Sequence, residues 1–561
     1  MKCHIINPTS ELAECRSVWT ADERFNCRCL EDVLYTQKAE VPLFQRLSIY
    51  VPRPYMNDFG EVLPEGRCGR YTAANAPVIF ANNAAGYMQM PHTWLGGPRC
   101  SAEKFLREGM VYVTCGCRGR ESRKEDGGPA GKAPATLIDF KTAIRFLRHN
   151  SASLPGDWSR IVSTGWSAGG AMSALLGITG DHPDYAPYLH ENGAFMEESD
   201  SVYAAQIYCP IIDLAHADLA YEWCFAADPE CEDSPAGPAE TMTPFKAALS
   251  EKLKERYVAY LNEQDLRDPE TGEMLRLDEG GRSGSFYHYI LRRLEKAAEQ
   301  YLLRLPEGDT ERYISGQIPV MRPVPCKPDA PKELHHAGQE LSLQASKRPM
   351  GLGEQLLREN FTASGTGSPE MTQVPGTDKR NWLSWDGKHA HITSLDDYVL
   401  NHRRRMKPCT SFDTLPCDSG ENQLFGNAQQ DYVHFDSAIP SAAAELKEQF
   451  PREAQEVLQS FSGRPDADVK KMLDLIDPMN YISDERGKKA SFFRIRVGAS
   501  DADTSFSISA ALSLSLQAAD VGKVDDAMVW DQPHCQADYP GELEKWIHSV
   551  MKEGNSGCRS V

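Results

Sequence analysis

The chain has 561 residues, enough for two to four average domains or for one large core split by an insertion. Its formal net charge of −20 argues against nucleic acid or an anionic membrane as partner, since both select basic surfaces. No stretch is long and apolar enough to span a bilayer. Met1–Cys15 lacks the basic start and apolar run of a signal peptide, so a cytoplasmic protein with reduced thiols is expected. The pairs Cys27/Cys29 and Cys115/Cys117 each enclose one residue, which is not the spacing of zinc knuckles, and no metal is expected.

Taken in order, residues 1–76 mix short apolar runs such as Phe44–Pro52 with turn residues, as opening strands of a sheet do. Pro77–Ala81 is a short buried-strand pattern that runs into the small-residue loop Asn82–Tyr87. Met110–Thr114 reads as a strand, and Leu137, Phe140, Ile144 and Leu147 form the apolar stripe of a helix. A strand through Ile161 and Val162, a small-residue helix, and a strand over Val202–Ile212 follow. This alternation predicts a mostly parallel sheet covered by helices on both faces.

After Asp213 the pattern changes. Charged amphipathic helices are predicted at Pro244–Leu261 and Phe286–Leu303, with further helical patterns near Leu395–Arg405 and Ala442–Phe461. Pro306–Lys379, rich in Pro, Gly, Ser, Thr and charge, reads as an extended or partly disordered segment. Strand–helix order returns with Ser491–Val497, Ile508–Ala519 and Ala527–Trp530. The expected organisation is a core over 1–213 and 475–561, split by an insertion over 214–474, with no internal repeat.

Gly165-Trp166-Ser167-Ala168-Gly169 is a G-x-S-x-G pentapeptide between the predicted strand and helix, the context of a nucleophile elbow. A serine becomes a useful nucleophile when a histidine takes its proton and a carboxylate orients that histidine. In an α/β-hydrolase fold the chain order is Ser, then acid, then His. Asp501 follows the strand ending at Val497, and His534 follows the last strand, so Ser167, Asp501 and His534 satisfy order and context together. The Ala168 N–H at the helix start can stabilise an oxyanion. A second donor is expected from the loop Asn83–Gly86, with Ala85 and Gly86 as candidates.

These residues sit in longer stretches: NNAAGYM, GCRGR, GKAPATLIDFKTAIRFLRHN, STGWSAGGAMSALLGITGDHPDY, YCPIIDLAHADLAYEW, RMKPCTSFD, SGENQLFG, VGASDADTS and WDQPH. With them the chain resembles the bacterial-type (subtype B) tannases, α/β-hydrolase serine esterases that cleave galloyl esters, over most of Val41–Tyr539. The resemblance implies the triad Ser167, Asp501 and His534, no cofactor, and a substrate pocket formed partly by an inserted lid. It also implies that Lys407, Glu421 and Asp503 grip the three ring hydroxyls of the galloyl group. Phenolic O–H groups donate to carboxylates in charge-assisted bonds, and an ammonium can donate to a phenol oxygen.

Two features depart from related patterns. Ala85 stands where the first glycine of a Gly-Gly pair is expected. Cys535 follows the histidine, as in fungal-type tannases and feruloyl esterases, but the residue before the serine is Trp166 and cannot bridge to it. The expected activity is hydrolysis of small aromatic, galloyl esters. The alternatives are an esterase for other aromatic acids such as ferulate or coumarate, and a catalytically silent protein that binds a phenolic ligand.

Overall fold

The computed structural model describes residues 19–97, 100–231, 240–318, 320–323, 371–374 and 381–556. The reading of Met1–Cys15 lies outside these residues, as does most of Pro306–Lys379. What is described of the latter segment is a helix at Asp309–Ile314 and an antiparallel pairing of Val320–Pro323 with Met371–Val374.

Nine strands form the central sheet: β1 (Thr20–Asp22), β2 (Cys27–Leu34), β3 (Arg46–Pro52), β4 (Pro77–Asn82), β5 (Val111–Cys115), β6 (Asp157–Trp166), β7 (Ala204–Tyr208), β8 (Phe492–Gly498) and β9 (Lys523–Val529). Their spatial order is β1-β2-β3-β5-β4-β6-β7-β8-β9. β1 to β3 pair antiparallel with each other and β3 pairs antiparallel with β5. Every pairing from β5 to β9 is parallel. β4, β5, β7 and β8 are buried at every residue. Their near-continuous Val, Ile, Phe and Tyr runs are what a strand covered on both faces requires.

The strand order makes a site before any side chain is considered. From β4 the chain crosses to β5 on one side and then returns to β6 on the other, so the loops after β4 and β6 diverge at their carboxyl ends. Such a switch point opens a crevice where ligands bind in open α/β sheets. The loop Asn83–Gly86 leaves β4 there, and Ser167 leaves β6.

Helices α1 (Ala135–His149) and α2 (Ala168–Ile178) belong to the core, and α2 packs on β6 and β7. The expected strand over Val202–Ile212 is shorter, since Cys209 takes a positive φ and Pro210 follows. Between β7 and β8 the chain leaves the sheet. Helix α3 (Ala217–Phe225) packs on α4 (Pro244–Glu263), and α5 (Ser285–Leu302) packs on β9. The single helical pattern at Ala442–Phe461 is two helices, Ala438–Glu445 and Pro451–Ser460, because Pro451 has no N–H and is accommodated in a new first turn.

A buried ion cluster fastens α1 to the core. Asp200 accepts from Lys141 Nζ (2.7 Å) and Arg145 Nε (2.7 Å), and the Lys141 and Asp200 side chains are fully buried. Removing one partner of such a cluster strands the others without water. Asp200→Ala should therefore lower unfolding free energy by about 3–5 kcal/mol, measured as a fall in the urea midpoint with unchanged slope.

Candidate active site

Ser167 sits at φ 61° and ψ −126°, a conformation that L-residues rarely adopt, between the end of β6 and the first turn of α2. Two glycines make this turn possible. A Cβ on Gly165 would lie 2.4 Å from Asn82 Nδ2, and one on Gly169 would lie 2.6 Å from Asn82 Oδ1. Asn82 itself, the last residue of β4, donates to Gly169 O and Ser173 Oγ, both at 3.0 Å. It thus ties the root of the oxyanion-candidate loop to the helix that follows the serine. Nothing in the sequence pattern marked Asn82 out.

Asp501 and His534 meet as the order of the motifs requires: His534 Nδ1 lies 2.9 Å from Asp501 Oδ2, with both residues buried. Burial disfavours the imidazolium, but the Asp501 carboxylate more than offsets this and pushes the His534 pKa well up. Burial would likewise raise Asp501, yet the His534 and Arg403 charges outweigh it and hold the carboxyl below its ordinary range. Ser167 approaches this pair through its neighbours. The Trp166 ring stands 5.8 Å from the His534 ring, Ser167 N donates to Tyr208 O (3.2 Å), and the next residue, Cys209, interacts with His534.

The loop Ala499–Thr504, which carries Asp501 and Asp503, is held by core backbone at Val529 and Gln532 and by residues between β7 and β8. Arg403 donates from Nε to Asp501 O and from Nη2 to Thr504 O. Its guanidinium is clamped between the rings of Phe506 (3.5 Å) and Phe225 (4.6 Å). Tyr398 Oη donates to Ala499 O (2.7 Å), Tyr221 Oη donates to Ala502 O (2.9 Å), and His402 Nε2 stands 2.9 Å from Ser500 Oγ.

Of the three residues expected to meet ring hydroxyls, Asp503 lies in this loop and Lys407 faces it. Lys407 Nζ is 3.9 Å from Asp503 Oδ1 and 4.2 Å from the centre of the Phe412 ring. Asp503 in turn donates its backbone N–H to Asp501 Oδ1 at 2.9 Å, so it is fixed to the acid next to it. Glu421 is placed by the short helix Gly420–Leu424, whose start is closed by a capping box between Ser419 and Asn422. Its charge acts on Tyr87, whose phenol is pushed up first by burial and then by Glu421. Tyr87 Oη donates to Ile211 O (2.8 Å) and Ile211 N to Ser167 O (3.3 Å), which connects that helix to the elbow.

Arg120, from the GCRGR stretch, couples the remaining parts. It donates to Gly86 O (2.9 Å) and to Gln423 Oε1 (2.9 Å), joining the oxyanion-candidate loop to the helix of Glu421. In that loop Gly86 is exposed at φ 55°, Ala85 is buried, and Ala85 O accepts from Met88 N.

Known proteins share the fold over nearly the whole chain. The BD-FAE family model matches residues 102–221. The tannin acyl hydrolase of Lactobacillus plantarum superposes with a TM-score of 0.71 at 27% identity, covering 94% of both chains. The tannase of Fusobacterium nucleatum superposes at 0.70 and 29% identity, covering 94% of this chain and 95% of that one. The chain therefore has an α/β-hydrolase fold and is similar to tannases over nearly its whole length. A tannin acyl hydrolase solved in complex with ethyl gallate matches at 0.69 and 27% identity over 94% of both chains. Two Mycobacterium tuberculosis esterases match locally: LipQ is 34% identical over 89 residues, 16% of this chain, and LipC 41% over 63 residues, 11% of it. These local matches span only 20% and 16% of the two esterases' own lengths.

Among the twelve described cysteines, none forms a disulfide, and Cys535 makes its contact with Gln532 Oε1 at 3.7 Å. No described helix is long and apolar enough to cross a membrane.

Arg403 touches no reacting atom in this arrangement; it positions the acid loop of the tannase-like site. Displacing that loop by an ångström is enough to cost on the order of 10²-fold in turnover. Arg403→Met should lower kcat on methyl esters by about that factor with KM changed less than threefold or so. Arg403→Lys should recover part of the loss, since an ammonium can still reach one carbonyl. Steady-state kinetics of the two variants separate this role from general destabilisation, which would lower the active fraction of both alike.

Proposed function

We propose that the protein hydrolyses galloyl esters through Ser167, His534 and Asp501, with residues 214–474 acting as a lid that supplies part of the acyl pocket. Ser167 Oγ attacks the ester carbonyl while His534 takes its proton, and Asp501 holds the imidazole in the tautomer that can accept it. The oxyanion is met by the Ala168 N–H at the start of α2 and by an N–H from Ala85 or Gly86. His534 then returns the proton to the departing alcohol, and water, activated by the same imidazole, releases the acid from Ser167. No step in this sequence calls on a metal or an organic cofactor.

One observation carries the choice of acyl group. Asp503 is bonded through its backbone to the carboxylate of Asp501 and faces Lys407 at 3.9 Å. A carboxylate and an ammonium are thereby set beside the reacting pair, where the ring of an aromatic acid would lie once its carbonyl reached Ser167. Charges of both signs in a half-buried place suit neighbouring phenolic hydroxyls, which can donate to one and accept from the other. An unsubstituted or methoxylated ring would leave these charges without partners. That supports a gallate-type ester over a ferulate or benzoate ester.

A panel of methyl esters tests this directly. Methyl gallate should be cleaved best, methyl protocatechuate less well, and benzoate and ferulate esters worse by ~10⁴ in kcat/KM, the discrimination expected when a hydroxyl-bonding site meets a substrate without hydroxyls. Glu421→Ala and Asp503→Ala should remove much of that preference, whereas Ser167→Ala and His534→Ala should lose essentially all hydrolysis while remaining folded. A fluorophosphonate should label the wild type and spare Ser167→Ala; an unlabelled wild type would favour a silent binding protein. Equal rates on gallate and ferulate would replace the galloyl reading with a general aromatic esterase.

A further inference from the structure

The Cys209 thiol takes no part in the mechanism above, yet it is built into the triad. Cys209 follows β7 at φ 33°, a region that costs an L-residue free energy, and it is fully buried. Its thiol donates to Cys535 O at 3.2 Å, on the backbone directly after His534. Cys209 Sγ, one ring nitrogen of His534 and one carboxylate oxygen of Asp501 all lie within 4.8 Å of one another. No other group of three or more His, Cys, Asp and Glu among the described residues comes together in this way.

We propose that Cys209, His534 and Asp501 form an inhibitory binding site for a thiophilic divalent cation of the zinc class. Thiolate, imidazole and carboxylate are the three ligand types such ions take, with Zn–S about 2.3 Å and Zn–N or Zn–O about 2.0–2.2 Å. A tetrahedral ion therefore needs its ligand atoms roughly 3.3–3.7 Å apart, which side-chain shifts of about an ångström supply from a 4.8 Å cluster. Magnesium and calcium prefer all-oxygen sites and should not compete.

The charge balance favours the ion. Binding releases to solvent the thiol proton and any second proton on the imidazole, leaving one thiolate, one carboxylate, a neutral imidazole and one dication, with no net charge in a buried place. Burial pushes the free Cys209 thiol up. Inhibition follows whichever ring nitrogen is taken. An ion on Nε2 occupies the lone pair that must accept the serine proton. An ion on Nδ1 displaces the bond to Asp501 and moves the imidazole proton to Nε2, where it blocks the same lone pair.

The test measures initial rates of ester hydrolysis against buffered free Zn²⁺, with Mg²⁺ as control, in wild type, Cys209→Ser and Cys535→Ser. Zn²⁺ should inhibit the wild type reversibly on adding EDTA, with affinity rising as pH rises because binding releases protons from its ligands. Cys209→Ser should weaken inhibition on the order of 100-fold by replacing a thiolate with a hard, protonated hydroxyl, and Cys535→Ser should leave it unchanged. A second readout is independent of activity: Co²⁺ should give a sulfur-to-metal charge-transfer band that Cys209→Ser loses and Cys535→Ser keeps. No inhibition by Zn²⁺, or equal inhibition and equal Co²⁺ spectra in wild type and Cys209→Ser, would overturn the proposal. If the protein cleaved none of the esters tried, the Co²⁺ spectra alone would decide it.

Discussion

The hold of Arg403 on the Asp501–Thr504 loop is the constraint on which the rest of this site depends. Arg403 comes from the insertion and the loop from the core, 98 residues further along the chain. A guanidinium is the right group for the task, because its planar fork reaches two carbonyls at once while its faces stack on Phe225 and Phe506. The orientation of Asp501, and through it the His534 tautomer, is thus set by a residue of the insertion. Residues between β7 and β8 therefore contribute to the geometry of the Asp501 loop.

The same coupling extends to the acyl side. Arg405, two residues beyond Arg403, is fully buried and pairs with Glu222 of α3 at 3.0 and 2.5 Å, which fixes the backbone that presents Lys407. Lys407 N also donates to Tyr221 Oη, the hydroxyl that grips Ala502 O. The acid loop and the ammonium are therefore positioned by one shared set of contacts, and movement of one is resisted by the other. A site preorganised in this way needs little rearrangement as charge develops in the transition state.

How much of this was legible in the sequence follows from the kind of signal each part leaves. Ser167, Asp501 and His534 could be nominated because each sits just beyond a strand whose apolar run marks it, and the structure brings Asp501 and His534 together at 2.9 Å. The parallel core was readable for the same reason. Lys407, Glu421 and Asp503 could be nominated only through longer resemblance, since a lone Lys or Glu in a polar segment looks like any surface charge. Arg403, Asn82 and Arg120 escaped because their contacts are with backbone carbonyls and side chains far away in sequence. The same holds for the second oxyanion donor, a backbone N–H that any residue can supply. Elements were misjudged where a local conformation decided the outcome: Cys209 and Pro210 cut β7 short, and Pro451 opened a new helix inside what periodicity read as one.

The central claim is that an aromatic acyl group lies between Ser167 and the Lys407–Glu421–Asp503 set while its ester carbonyl meets the Ala168 N–H. The most direct measurement is a crystal structure of Ser167→Ala soaked with methyl gallate. The account predicts the ring hydroxyls within hydrogen-bonding distance of Lys407, Glu421 and Asp503, with the carbonyl oxygen directed at the start of α2. A ring turned out to solvent, or seated with its methyl ester against Lys407 and its hydroxyls away from all three side chains, would contradict it.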